Sequence, residues 1–165
     1  MPLSYPQRHS PRLTTYGYRQ PGVYFVTLCA AHRTCRFGRI EGHEMVISAQ
    51  GHIVQAAWCW LQEQYPYVEL DTWVTMPNHF HGLLQITSGQ EAERTKPLGQ
   101  LIGAFKTIST KLIHALPGHE TVIIWQRDFY ERVIRSEEEL DRARTYITQN
   151  VLQWALDHEN PDHVT

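Results

Sequence analysis

The sequence predicts an α+β fold, in which an antiparallel sheet carries its helices on one face. Segments typical of strands and segments with helical spacing follow in the order strand, strand, helix, strand, strand, helix, strand, helix. Two consecutive strands are separated by the short turn Pro77-Asn78, which favours an antiparallel hairpin. With 165 residues and 42% hydrophobic content, the chain fits one globular domain.

The strands are predicted where β-branched and aromatic residues cluster. They lie at residues 23–28, around 45–47, at 68–75, at 79–86, and in an extended stretch that starts at 122 and continues toward 134. Apolar residues at helical spacing predict the first helix at 53–61 and the second at 98–112. Ser136 and Glu139 form a capping box that opens the third helix, which we expect to run to about Asp157.

The domain is predicted to span residues 22–160. Residues 1–21 are rich in Pro, Arg, Ser, Thr and Tyr and read as an extended arm. Residues 87–97 are polar without periodicity, which predicts a flexible loop.

Composition narrows the class of protein. The net charge of −2 does not favour a broad electrostatic grip on nucleic acid, although residues 94–111 carry four cations and no acid. No apolar run approaches the roughly 20 residues of a membrane span, and the N-terminus has no apolar signal core. The three cysteines form no CxxC pair, which favours reduced thiols. We therefore expect a cytoplasmic protein that binds no membrane.

The triplet His79-Phe80-His81 lies in a predicted strand. Side chains two apart in a strand point to the same side, so both imidazoles would aim at one point. Such a pair is half of a metal site. A chain with ten histidines can contain one such pair by chance, so core or surface histidines are the alternative.

Tyr146 and Asn150 lie four residues apart in the last predicted helix and therefore share a face. An amide oxygen can bind a hard divalent cation. A tyrosine hydroxyl, with an ordinary pKa near 10, is a weak nucleophile that could attack a metal-bound phosphate. The alternative is a packing role for Tyr146 and a surface amide at Asn150.

Four stretches, taken in order, resemble the single-tyrosine HUH transposases, and among them the REP-associated tyrosine transposase branch. The stretches are Gly22-Val23-Tyr24-Phe25-Val26-Thr27-Leu28, Trp73-Val74-Thr75-Met76-Pro77-Asn78-His79-Phe80-His81-Gly82, Trp125-Gln126-Arg127-Asp128-Phe129-Tyr130-Glu131, and Tyr146-Ile147-Thr148-Gln149-Asn150 with Trp154-Ala155-Leu156-Asp157. One departure is Val151, where relatives commonly have Pro.

The resemblance implies a ferredoxin-like (split βαβ) sheet and a site that joins its middle to the last helix. It implies that His79, His81 and Asn150 bind Mg²⁺ or Mn²⁺ and that Tyr146 is the nucleophile. The implied reaction is cleavage of single-stranded DNA at hairpin-flanked ends through a 5′-phosphotyrosine, followed by strand transfer.

Other side chains are candidates for contact with DNA. Lys106, Lys111, Arg127 and Arg12 are the predicted DNA-binding cations. Arg132 and Arg135 could also contact DNA or could pair with neighbouring acids. Tyr130 is an alternative nucleophile, although it has no ligand partner at helical spacing.

The expected partner is single-stranded DNA that carries a hairpin, and the protein is expected to be a monomer or a homodimer. Two rival functions remain open from the sequence. One is a non-catalytic binder of structured single-stranded nucleic acid. The other is a metal-dependent hydrolase that uses water as its nucleophile.

Overall fold

The computed structural model describes residues 21–87 and 94–162. The predicted N-terminal arm, apart from Pro21, lies outside the described residues, and Arg12 lies outside with it. Most of the predicted loop at 87–97 also lies outside them. Within the described part of the chain, no helix is long and apolar enough to span a membrane.

The described residues fold into six strands and three α-helices. They are β1 (Gly22–Cys29), β2 (Gly38–Glu41), β3 (Glu44–Ile47), α1 (Ala49–Gln64), β4 (Val68–Thr75), β5 (His79–Ile86), α2 (Leu98–His114), β6 (Tyr130–Ile134) and α3 (Glu137–Gln149). Two short 3₁₀ turns lie at Ala31–Arg33 and Trp154–Leu156.

Four strands form an antiparallel sheet in the order β4-β5-β1-β6, and β2 pairs with β3 in a separate hairpin. Strand β5 lies between β1 and β4, which are joined through α1. Strand β1 likewise lies between β5 and β6, which are joined through α2. This interleaving is the split βαβ arrangement. The predicted α+β class and antiparallel sheet are confirmed.

The helices do not all lie on one face of the sheet, and that part of the prediction is wrong. Phe80 and Leu84 of β5 pack into the core formed with α1 and α2. Leu83 of the same strand packs instead with Ala143 and Ile147 of α3. Because successive side chains of a strand point to opposite faces, β5 has apolar partners on both sides. Helix α3 therefore covers the apolar side chains on the face of the sheet that carries the histidines.

One strand was not predicted, and several element boundaries differ from the predicted ones. Strand β2 was not predicted, because Gly38–Glu41 contains a single β-branched residue and depends on pairing with β3. The stretch at 122–125 makes one bridge, Ala30 with Trp125, and the strand proper begins at Tyr130. Helix α3 ends at Gln149 rather than near Asp157. Its start is as predicted, because the Ser136 hydroxyl accepts from the Glu139 N–H.

Candidate functional site

His79 and His81 lie on β5 and project toward α3. Both side chains are buried, with exposed fractions of 1% and 3%. Their ring centroids lie 4.7 Å apart. The alternation of β5 therefore brings two imidazoles together, while Phe80 packs on Trp58 in the opposite layer.

One nitrogen of each imidazole is held by a neighbouring polar group. Nδ1 of His81 lies 2.8 Å from the hydroxyl oxygen of Thr27. Nδ1 of His79 lies 2.9 Å from Oδ1 of Asn78, whose amide nitrogen donates to the carbonyl oxygens of Arg33 and Glu159. Since Asn78 Oδ1 can only accept, His79 Nδ1 carries the proton, and Nε2 keeps its lone pair.

Helix α3 brings Tyr146 and Asn150 to the same place. The Tyr146 ring centroid lies 5.3 Å from that of His81, with the rings inclined at 66°. Asn150 is the C-terminal cap of α3 and is 3% exposed. The helix ends there although Val151 stands where relatives have Pro, so the departure does not lengthen the helix. The structure thus unites the four residues that the sequence selected in two separate elements.

Three buried atoms at this point lack a hydrogen-bond partner among the described residues. They are His79 Nε2, His81 Nε2 and Asn150 Oδ1. Buried polar atoms are almost always satisfied, so three such atoms without a partner in one site are unusual. Lone pairs on two imidazoles and an amide oxygen are the donor set that a divalent cation accepts. The residues present therefore fit a metal ion.

The amide is essential to this candidate set. Among the described residues, no group of three or more His, Cys, Asp or Glu side chains could hold a metal. Asn150 would supply the third ligand beside the two histidines. Helical spacing predicted only that Asn150 shares a face with Tyr146, and its role as a ligand is what the family resemblance implies.

Burial keeps both histidines neutral. Desolvation lowers the pKa of His79 to about 4, although the Asp157 carboxylate and the nearby Asn150 side chain act in the opposite direction. Desolvation, together with the neighbouring His79, also lowers the pKa of His81 well below its ordinary value. Neutral imidazoles are the form that binds metals.

The chain beyond α3 folds back over His79, which the sequence did not predict. The Trp154 ring centroid lies 6.1 Å from that of His79. Asp157 Oδ2 lies 3.7 Å from His79 Nε2. Glu159 pairs with Arg33 at 3.2 Å. These contacts replace the last two turns of the predicted helix and bring a carboxylate to the edge of the site.

Phe25 of β1 is a further residue of the site that the sequence reasoning missed. Its ring stacks on His81 with centroids 5.5 Å apart and meets Tyr146 edge-on at 6.0 Å. Phe25 is 4% exposed, so a buried ring packs against both His81 and Tyr146. An aromatic residue in a strand is usually part of the core, and its sequence position carries no sign of this role.

Two of the predicted DNA-binding cations, Lys106 and Lys111, lie on α2, which packs on the opposite face of the sheet from the two histidines. The Lys106 ammonium donates to the carbonyl oxygens of Gln126, Arg127 and Asp128 and is therefore engaged within the protein. Lys111 and Arg127 are exposed and line an open groove of about 720 Å³ between α2 and residues 121–127.

Comparisons with known proteins agree with this fold. The chain is 31% identical over 166 residues to a protein of Haemophilus influenzae described as uncharacterized, covering 91% of each chain, and it belongs to the same family as that protein. No family model matches the chain.

Among solved structures, a REP-associated tyrosine transposase bound to a REP hairpin superposes with a TM-score of 0.60 and 20% identity. The alignment covers 80% of this chain and 67% of that one. The chain therefore has the fold of a REP-associated tyrosine transposase, and the resemblance seen in the sequence is confirmed for the fold.

Proposed function

We propose that this protein is a metal-dependent single-stranded DNA endonuclease and strand transferase. The observation that carries the proposal is the convergence of three unsatisfied ligand atoms, on His79, His81 and Asn150, beside the ring of Tyr146. A structural cluster would satisfy those atoms internally. A site that must bind a cation and a phosphate leaves them available.

His79, His81 and Asn150 would hold Mg²⁺ or Mn²⁺. The ion, when bound, supplies Lewis-acid polarisation of a phosphate oxygen. Two imidazoles and an amide are neutral ligands, so the ligands themselves would not reduce the charge of the ion, and the Asp157 carboxylate, 3.7 Å from His79 Nε2, would be the anionic group beside them. The Asn78 and Thr27 contacts hold the imidazoles in place for this task.

Tyr146 is proposed as the nucleophile. Its phenolic oxygen forms a bond to phosphorus as the bond from phosphorus to the 3′ oxygen breaks, and the phenolic proton passes to solvent. The leaving oxygen takes a proton and becomes a free 3′-OH, while the 5′ end stays on Tyr146. Attack by a 3′-OH on that phosphotyrosine then releases Tyr146 and joins the strands. Phe25 and His81 restrict the ring, which favours in-line attack.

The proposed substrate is single-stranded DNA that flanks a hairpin. Support comes from the shared fold with a transposase whose structure contains a REP hairpin. Lys111 and Arg127 are proposed to contact the DNA backbone, because both are exposed and line one groove. Lys106 is proposed to support that groove through its carbonyl contacts rather than by touching DNA. Arg12 stays a predicted contact outside the described residues.

The test is formation of a covalent adduct. The protein is incubated with Mn²⁺ and a library of single-stranded hairpins with random flanks, and DNA that stays bound after denaturation is sequenced. Wild type is expected to retain DNA through a 5′-phosphotyrosine that mass spectrometry assigns to Tyr146. Tyr146→Phe should abolish the adduct, since it removes only the attacking oxygen. Tyr65→Phe is the matched control, because Tyr65 packs on Trp60 and Tyr67 away from the site.

Other outcomes would favour other functions. Cleavage without an adduct would favour a water-using metal-dependent hydrolase. Hairpin binding without cleavage, with Mn²⁺ or Mg²⁺ present, would favour a non-catalytic binder. An adduct that persists in Tyr146→Phe and disappears in Tyr130→Phe would move the nucleophile to Tyr130.

A further inference from the structure

On the sheet face that carries the candidate site, the edge strand β6 has two exposed side chains, Tyr130 and Arg132. Helix α3 packs mainly against β4 and β5, and β6 is the edge strand beyond β1. Tyr130 pairs with Thr27, and Arg132 pairs with Phe25. Residues paired across neighbouring strands share a face, so Tyr130 and Arg132 lie on the side of the two histidines. Both side chains are exposed.

The Phe25 ring lies between these two side chains and the candidate site. The Arg132 guanidinium carbon lies 5.9 Å from the Phe25 ring centroid, and the Tyr130 ring meets Phe25 edge-on at 6.5 Å. The same ring contacts His81 and Tyr146. One buried aromatic ring thus separates an exposed cation and an exposed aromatic side chain from the proposed nucleophile.

The Arg132 guanidinium forms no salt bridge with another described residue, and it lies over the Phe25 ring. The acid next to it in sequence, Glu131, pairs with Val26, and Val26 belongs to the opposite core. Strands β1 and β6 therefore present no carboxylate on the face that carries Arg132. An exposed arginine that is held over a ring and has no anionic partner in the described part of the chain is suited to bind a phosphate.

We propose that Arg132 and Tyr130 form a subsite for the single strand that continues from the scissile phosphate. Arg132 binds a backbone phosphate, and Tyr130 stacks on a base. The two residues lie two apart on one strand, about 7 Å from each other along it, so they contact successive parts of the same strand. The inference rests on the proposed function for the identity of the strand, and it adds the path that the strand takes across β6.

The test measures binding of a fluorescent oligothymidine of about 20 nucleotides by anisotropy, with EDTA present, between about 50 and 200 mM NaCl. Arg132→Gln should weaken binding about tenfold and reduce the slope of log K against log salt by about 0.7, the value for one lost phosphate contact on a single strand. Arg132→Lys should keep the slope because it keeps the charge. Arg142→Gln is the matched control, since Arg142 is an exposed arginine on α3 paired with Glu138.

Tyr130 is tested in the same assay. Tyr130→Leu should weaken binding about tenfold without changing the salt slope, because a lost base stack is an uncharged interaction. Tyr130→Phe should restore binding, since it keeps the ring.

The proposal is overturned if Arg132→Gln binds with the slope of wild type, or if wild type shows no salt-dependent binding of the oligonucleotide. Its failure differs from failure of the proposed function. An intact Tyr146 adduct with an unchanged slope in Arg132→Gln would reject the subsite alone. The opposite result is also informative. If the salt slope is reduced in Arg132→Gln but wild type forms no Tyr146 adduct, the proposed catalysis is rejected and the subsite is kept.

Discussion

At the scale of single residues, the site depends on how each imidazole is oriented. Thr27 and Asn78 each engage an Nδ1 atom, and the Nε2 atoms of His79 and His81 have no hydrogen-bond partner among the described residues. A buried acceptor without a partner costs roughly 1–3 kcal/mol. The unpaired atoms therefore lower the free energy of unfolding, and a bound cation would remove this penalty. Binding of the cation should increase the stability of the folded protein.

We expect Mn²⁺ to raise the melting temperature. At a free concentration about 100 times Kd the stabilisation is about 2.7 kcal/mol, or about 5–10 °C for a domain of this size. His81→Ala and Asn150→Ala should each lose most of the shift, as measured by differential scanning fluorimetry. His52→Ala is the control, because His52 is an exposed residue of α1. Equal shifts in all four proteins would place the metal elsewhere.

At the scale of elements, helix α3 must stay docked for Tyr146 to reach the histidines. Its main polar tether is Arg144, whose Nε and Nη2 atoms donate to the two carboxylate oxygens of Asp71 at 3.0 and 2.7 Å. Asp71 lies at the irregularity in β4 between Leu70 and Trp73. The Arg144 hydrogen bonds lower the pKa of Asp71 to about 2. A bidentate pair of this kind fixes the helix in angle as well as in distance.

Asp71→Asn should lower the free energy of unfolding by about 1 kcal/mol at pH 7, a value reduced for the contact of both side chains with solvent. Because the folded pKa lies below the unfolded one, the wild-type advantage is present above about pH 4 and is lost as the pH falls toward 2. Urea unfolding at pH 7, 4 and 2 measures it. Glu138→Gln is the comparison, since Glu138 pairs with Arg142 on the exposed side of α3. If the difference in unfolding free energy between wild type and Asp71→Asn stays constant with pH, the lowered pKa of Asp71 does not contribute to stability.

At the scale of the whole molecule, β5 joins two layers with different tasks. On one face Phe80 packs with Trp58 and Phe105, at centroid distances of 4.8 and 5.8 Å. On the other face the histidines meet α3. Gly82 lets Trp58 approach the strand closely, because a Cβ atom at Gly82 would lie 2.6 Å from Trp58 Cζ2.

Gly82→Ala should destabilise the protein by about 1–3 kcal/mol through overpacking. Gly103→Ala, on α2 with no atom within 4 Å of an added Cβ, should be neutral or stabilise by up to about 1 kcal/mol. Chemical denaturation of the two variants measures the contrast. Equal stabilities would mean that the Trp58 ring moves aside without cost.

Much of the fold and site could be read from local patterns. The alternation of His79, Phe80 and His81 reports a strand with two different faces, and Ser136 marks the start of α3. The end of α3 could not be predicted, because Val151 and Trp154 keep a helical spacing that packing on His79 overrides. The role of Lys106 was also hidden, since its carbonyl partners lie about 20 residues away in the chain. The oligomeric state and the cytoplasmic location stay predictions.

Apart from β2, the amino-acid sequence by itself determined the order of elements. It also determined the shared direction of two imidazoles and the shared face of Tyr146 and Asn150, because these follow from the short-range geometry of strands and helices. Tertiary structure alone decided which face of the sheet α3 covers and that Phe25 packs against both His81 and Tyr146. It also decided that the exposed Arg132 side chain lies over the Phe25 ring. These contacts join residues that are distant in the chain. They form because both faces of β5 are buried, and a short segment of sequence does not contain the partners that bury them.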